Sequence, residues 1–257
     1  MIETVRRTLV ARNLLSGILA VLLALLAGAL LILALGRDPI AAYGALFSAS
    51  LGSTNGLAET AIRTVPLALC GIGIALAFRA GGFNVGAEGQ LFIGGISAAY
   101  VGTLLDGQPQ LLALSLMAVA AAIGGALWSG IAAVLKLRFR SDELITTIML
   151  NYIGIFFVGY LLHGPLHDPG SALAQTVRLG AEARLPVLMP GTRLHFGIVI
   201  AVAAAFIAQL YLWRTVAGFR LRATGQNPRA AENAGINVRR VIVIGFLTCG
   251  ALAGLAG

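Results

Sequence analysis

Long uninterrupted apolar blocks constrain this chain more than any other feature. Seven can be marked, at Leu14–Leu35, Leu57–Phe78, Glu88–Leu105, Leu111–Leu135, Leu144–Leu162, Leu194–Trp213 and Val241 to the end. A helix crosses the roughly 30 Å hydrocarbon core with about 20 apolar residues, and these blocks are near that length. The expected fold is therefore all-α, a polytopic transmembrane helical bundle of about seven spans. Composition agrees. The chain is 58% hydrophobic and 11% charged, with mean hydropathy +0.91, whereas soluble domains hold about 25% charged residues.

The amino terminus, residues 1–13 with Arg6, Arg7 and Arg12, superficially resembles a signal peptide. The block behind it is too long for a signal h-region, and Leu35-Gly36-Arg37 is a poor cleavage site, so a retained first helix is expected. A formal charge of +8 raises nucleic acid as a partner. The basic residues instead sit at block ends without aromatic interleaving, which argues against a strand-binding surface. They read as topology signals.

Arg6, Arg7 and Arg12 precede the first block, Lys136, Arg138 and Arg140 follow the fourth, and Arg214, Arg220, Arg222, Arg229, Arg239 and Arg240 lie between the last two. Alternating spans bring all three clusters to one side, which the positive-inside rule makes cytoplasmic, with the amino terminus inside. Residues 36–56, 106–110 and 163–193 then face outward. The last of these holds Pro165, Pro169, Gly170, Pro186, Pro190 and Gly191 and reads as a turn-rich loop with room for a short interfacial helix. Thr248 to Gly257 is apolar and uncapped, so the expectation is a carboxy-terminally incomplete chain.

Between the second and third blocks, glycines at 81, 82, 86 and 89 accompany Arg79, Asn84, Glu88 and Gln90. Glycine weakens continuous helix and permits close backbone approach. One reading is an ordinary cytoplasmic turn, with Glu88 favouring a helix start. The other is a broken or re-entrant helix near residues 79–90 whose free backbone lines a wet pathway. On the fifth span, Thr147, Asn151 and Gly154 fall on one helical face at spacings of four and three. Such a stripe lines a pathway or locks helices together by hydrogen bonds.

Other polar residues suggest little chemistry. His163 and His167 are four apart, but Gly164 and Pro165 intervene and remove the helix a metal pair would need. Cys70 and Cys249 lie in separate apolar blocks, as small core residues do. The sequence contains no Walker glycine-lysine loop, catalytic triad or metal cluster. No enzyme activity and no bound cofactor are expected of the chain itself.

Residues 225–238 form a discrete insert. Asn227 is a good N-cap, Pro228 suits the first helical position, Arg229, Ala230, Ala231 and Glu232 supply the turns, and Gly235 is a natural C′ residue. So short a helix is unstable alone and must rest on something. Anionic headgroups would suffice. The sharper reading is a knob that docks on a cytoplasmic partner and passes motion to the spans.

The stretches Ala77 to Gln90 (AFRAGGFNVGAEGQ), Asp142 to Tyr152 (DELITTIMLNY) and Gly225 to Val238 (GQNPRAAENAGINV) resemble permease subunits of ATP-binding-cassette importers. The branch is that of nucleoside uptake, related to the ribose and branched-chain amino-acid permeases. The resemblance implies one permease domain over residues 1–257, in the bacterial inner membrane. Residues 225–238 would be its coupling helix on an ATPase subunit that uses ATP and Mg in trans. It further implies that Phe83, Asn84, Glu88 and Gln90 lie near the translocation path, with Thr147 and Asn151 as further pathway candidates. A second permease subunit, identical or not, and an extracytoplasmic substrate-binding lipoprotein would complete the importer. The alternative is a secondary transporter driven by an ion gradient, with Glu88 carrying the proton; it leaves the capped insert unexplained.

Overall fold

The computed structural model describes residues 2–257, with side chains from Ser16 onward except that of Ala181. Ten helices follow in order: α1 (Ile2–Ala34), α2 (Pro39–Leu51), α3 (Thr54–Arg79), α4 (Ala87–Leu104), α5 (Gln110–Phe139), α6 (Glu143–His163), α7 (Gly197–Arg214), α8 (Val216–Gln226), α9 (Pro228–Asn233) and α10 (Val238–Ala256). Six of them, counting α1 from Ser16, are long and apolar enough to cross a membrane. The helical bundle expected from the blocks is thus present. Among the described residues the only β pairing is one isolated bridge, Val187 with His195.

The third block is the exception in hydropathy. It forms the 18-residue α4, in which Glu88, Gln90 and four glycines dilute the apolar residues. What α4 lacks in hydropathy it makes up in burial, with Gly89, Gln90, Ile93, Gly94 and Ile96 all inside the protein.

Two compact units divide the chain, residues 1–60 and 61–257. In the first, Asp38 caps α2 by accepting from the Ile40 N–H, and Pro39 occupies the first helical position. Sequence reading treated residues 36–56 as an outward segment without this helix, because its 13 residues are too few to span. The Tyr43 hydroxyl donates to Leu25 O at 2.7 Å and pins α2 to α1. The side chains of Arg6, Arg7 and Arg12 lie outside the described residues.

In the second unit α10 is the centre. Phe246, Cys249 and Ala253 have no exposed surface, and small residues line the faces of α4 and α5 that receive them. Lipid is as apolar as leucine, so helix association in a bilayer rests on close packing rather than on expulsion of water. The packing here is close enough to exclude side chains. A Cβ on Gly254 would collide with the Ala121 carbonyl and lie 3.1 Å from Gly125 Cα, while one on Gly125 would lie 2.8 Å from Gly254 Cα. Val65, Leu69 and Ala201 join α3 to α7, with Leu252 and Ala256 of α10 packed beside them. Ile93, Ile96 and Val158 join α4 to α6.

The basic clusters meet at one end of this unit. Lys136 near the end of α5 pairs with Glu143 at the start of α6 and reaches the Gly81 carbonyl at 3.5 Å. Gly225 at the end of α8 abuts the Arg79 carbonyl so tightly that no side chain fits between them. The α5–α6 junction, the α3–α4 break and α8 therefore share one level, as the charge pattern requires of an inner face. At the opposite end, residues 164–196 form turns with a single 3-10 turn at Ala181–Ala183. Gln110 Nε2 ties that loop to α5 by donating to Arg184 O at 2.8 Å.

Candidate functional site

Helical structure stops at Arg79 and resumes at Ala87, so the glycine-dense segment does interrupt the chain. Seven unwound residues within a bundle leave several backbone groups to satisfy. Side chains from the break itself and from α6 satisfy them. Asn84, fully buried, accepts from Gly86 N–H at 2.9 Å, Thr147 Oγ1 accepts from Val85 N–H at 3.3 Å, and Asn151 Oδ1 accepts from Gly89 N–H at 2.8 Å. Three donors at the start of α4 thus receive caps, two of them supplied by α6. Asn151 Nδ2 also donates to Val85 O at 3.1 Å.

A second layer lies behind this one. Asn84 Nδ2 donates to Ser129 Oγ at 3.1 Å, Gln90 Nε2 donates to Asn84 Oδ1 at 3.0 Å, and Ser129 Oγ donates to Phe246 O at 2.7 Å. Asn84, Gln90, Ser129 and Thr147 are each 2% exposed or less. In a medium without water an unmade hydrogen bond is costly, so the set behaves as a lock joining the break to α5, α6 and α10. Gly154, third member of the α6 stripe, packs on Gly89 and the Trp128 indole.

Sequence-selected pathway residues therefore fall into two groups. Asn84, Gln90 and Thr147 point inward and Asn151 is half-buried, all four with their polar atoms engaged. Phe83 and Glu88 point out of the fold; Phe83 is 52% exposed and its ring lies 5.0 Å from that of Phe78, itself 45% exposed. Glu88 stands exposed in the first turn of α4.

The insert folds as its caps foretell. Asn227 Oδ1 accepts from Ala230 N–H at 3.1 Å, Pro228 opens α9, and Gly235 stands at φ +79° just beyond it. Ala231 is buried at 4% exposure and seats the helix on the bundle, whereas Pro228, Arg229, Ala230 and Glu232 are exposed. Asn237 then caps α10 by accepting from Arg240 N–H at 3.0 Å.

Sequence reading missed α8, which runs directly into α9. It also missed Trp213, whose ring lies 4.2 Å from the Arg222 guanidinium and 5.8 Å from that of Arg79. The stack fastens α7, α8 and the end of α3 together. Ser129 was passed over as one hydroxyl among small residues, and only its partner Phe246, 117 positions away, reveals its use. The Nδ1–H groups of His163 and His167 donate to backbone carbonyls, Gly159 O and Leu162 O.

Spans of small-residue packing, an internally capped break and a short capped helix at the basic end together define a multi-pass helical membrane protein. Comparison with known proteins gives its kind. The chain belongs to the family described as branched-chain amino acid transport system / permease component, whose model matches residues 56–257. It is 40% identical to the guanosine ABC transporter permease protein NupP of Bacillus subtilis, over 95% of this chain and 71% of that protein. It is 36% identical to the glucose ABC transporter permease protein TsgB13 of Haloferax volcanii, over 93% and 66%. With the nucleoside ABC transporter permease protein NupB of Lactococcus lactis the identity is 34%, over 96% and 70%. The chain thus spans about two thirds of the length of these relatives. No solved structure matches it. It is a multi-pass membrane protein of the ABC-permease class, and this membership disfavours the ion-gradient alternative.

Proposed function

We propose that this chain is one permease half of an ATP-driven importer and forms, with a second permease subunit, the path for a nucleoside. ATP hydrolysis, with its Mg, belongs to separate ATPase subunits, and an extracytoplasmic lipoprotein delivers the solute. The observation that carries the reading is α9. Both ends of this six-residue helix are capped, Ala231 is tucked under it, and its remaining surface is presented at the basic end. A helix this short has no stability of its own, so a rigid, seated knob suits transmission of a push.

Nucleoside is the reading favoured by the guanosine and nucleoside relatives. Glucose is the competing substrate, because the archaeal relative named for it is nearly as similar. Within the path, Phe83 and Glu88 are the residues placed to meet solute. Asn84, Gln90, Thr147 and Asn151 hold the break in shape instead.

Arg229→Glu combined with Ala230→Trp tests the docking surface, since both positions are exposed while Ala231 is not. In the reconstituted complex, substrate-stimulated ATP hydrolysis should fall at least tenfold while the variant inserts in the membrane like the parent. Unchanged stimulation would sink the docking assignment. Uptake of labelled guanosine, challenged by excess unlabelled glucose, separates the two substrates: competition by glucose overturns the nucleoside reading.

A further inference from the structure

At the inner ends of α7, α8 and α10 lies a cavity of about 360 Å³ lined by Tyr211, Arg220, Leu221, Ile236, Asn237 and Arg240. No carboxylate lines it, and both guanidiniums are exposed. A groove of about 650 Å³ borders it, lined almost wholly by aliphatic side chains such as Ala204, Ile207, Ala208 and Leu252. Tyr211 and Ile244 line both, so the basic cavity adjoins the apolar groove. The groove follows α7 from Tyr211 to Ile200 and α10 from Ile244 to Leu255. Eleven residues of helix rise about 16 Å, close to half of the roughly 30 Å hydrocarbon core and so to one leaflet.

A basic mouth at the inner face and an apolar trough one leaflet deep match an amphiphile with an anionic head. We infer that this site takes an anionic phospholipid of the cytoplasmic leaflet. Its phosphate lies between Arg220 and Arg240, and an acyl chain occupies the α7–α10 groove. Guanidinium groups bind phosphate oxygens by charge-assisted hydrogen bonds. The amide hydrogens of Asn237 remain free to add to them, because its cap bond to Arg240 N–H uses only the oxygen. Two positive charges without an acid discriminate against a zwitterionic head, whose ammonium they repel. Free phosphate would satisfy the mouth and leave the groove empty. A polypeptide helix would fill the groove and leave the arginines unpaired.

The test uses the purified full chain in detergent, with native mass spectrometry reading retained lipid and thermal unfolding reading stabilisation. Phosphatidylglycerol should be retained and should raise the unfolding temperature, and phosphatidylcholine with the same acyl chains should do neither. Arg220→Gln with Arg240→Gln, both at exposed positions, should cut phosphatidylglycerol retention at least tenfold without altering the elution volume of the protein. Ala204→Phe with Ala208→Phe should cut it comparably by blocking the groove. Equal retention of the two lipids, retention unaffected by the arginine pair, or equal stabilisation by inorganic phosphate would each overturn the inference. So would a photo-crosslinker at Ile207 that captures a second polypeptide in native membranes instead of phospholipid.

Discussion

Asn84 occupies the point where the break would otherwise fail. Its amide accepts from Gly86 and Gln90 and donates to Ser129, with no surface exposed. Asn84→Leu keeps the volume but strands these partners; leaving a buried polar group unpaired costs about 1–3 kcal/mol. A lowered unfolding temperature in detergent, with Thr146→Val as a milder control, is the expected result. A second residue-level dependence lies on the outer loop. Hydrogen bonds from its own amide, from Gly107 N–H and with Asp106 hold the Glu182 carboxyl below the usual carboxylate range. A depressed folded pKa means the contribution is complete above the ordinary glutamate value and is lost as pH falls through the lowered one. Hydrogen exchange around Gly107 should be slower in the parent than in Glu182→Gln at neutral pH, and the difference should vanish in acid.

Helices in this protein are positioned by what they lack. α10 fits among α4 and α5 because Gly250 and Gly254 face Ala121, Gly125 and Ser129 at spacings of four, bringing backbones into direct contact. Gly254→Leu must push α10 away, and overpacking of this kind costs about 1–3 kcal/mol. The variant should lose its monodisperse elution peak at a lower temperature than the parent. Gly159→Leu on α6, where a Cβ would meet nothing within 4 Å, should not. The four-residue spacing of small residues is a recognised sequence signal for helix contact, and it is the clue that could have placed α10 at the centre. The α9 caps, by contrast, were readable because each acts within four residues: Asn227 on Ala230, Gly235 just past the last turn.

Across the whole chain, topology rests on charge and helix count together. Lys136 meets Gly81, and Gly225 meets Arg79, so residues 79–86, 136–143 and 214–240 belong to one face. A cysteine introduced at Arg229 should react with an impermeant maleimide only in inverted vesicles, and one at Gln108 only in right-side-out vesicles. Labelling of both from the same side would contradict the orientation.

Local and periodic features of the sequence were enough for the membrane bundle, its basic inner face, the glycine-rich interruption and the short capped helix α9. Span length, charge position and capping are set by residues near one another in the chain. Whether Asn84, Gln90, Thr147 and Asn151 meet solute or hold helices could not be read there, because both uses demand polar residues on one face of an apolar helix. Only the fold decided where they point: Ser129, Phe246 and the start of α4 come to them from distant parts of the chain, and in a water-free interior such partners are taken up. Tertiary packing likewise turned Trp213, Arg222 and Arg79 from scattered inner-face residues into one stack. It also set a basic cavity beside an apolar groove, because α7 and α10 line both.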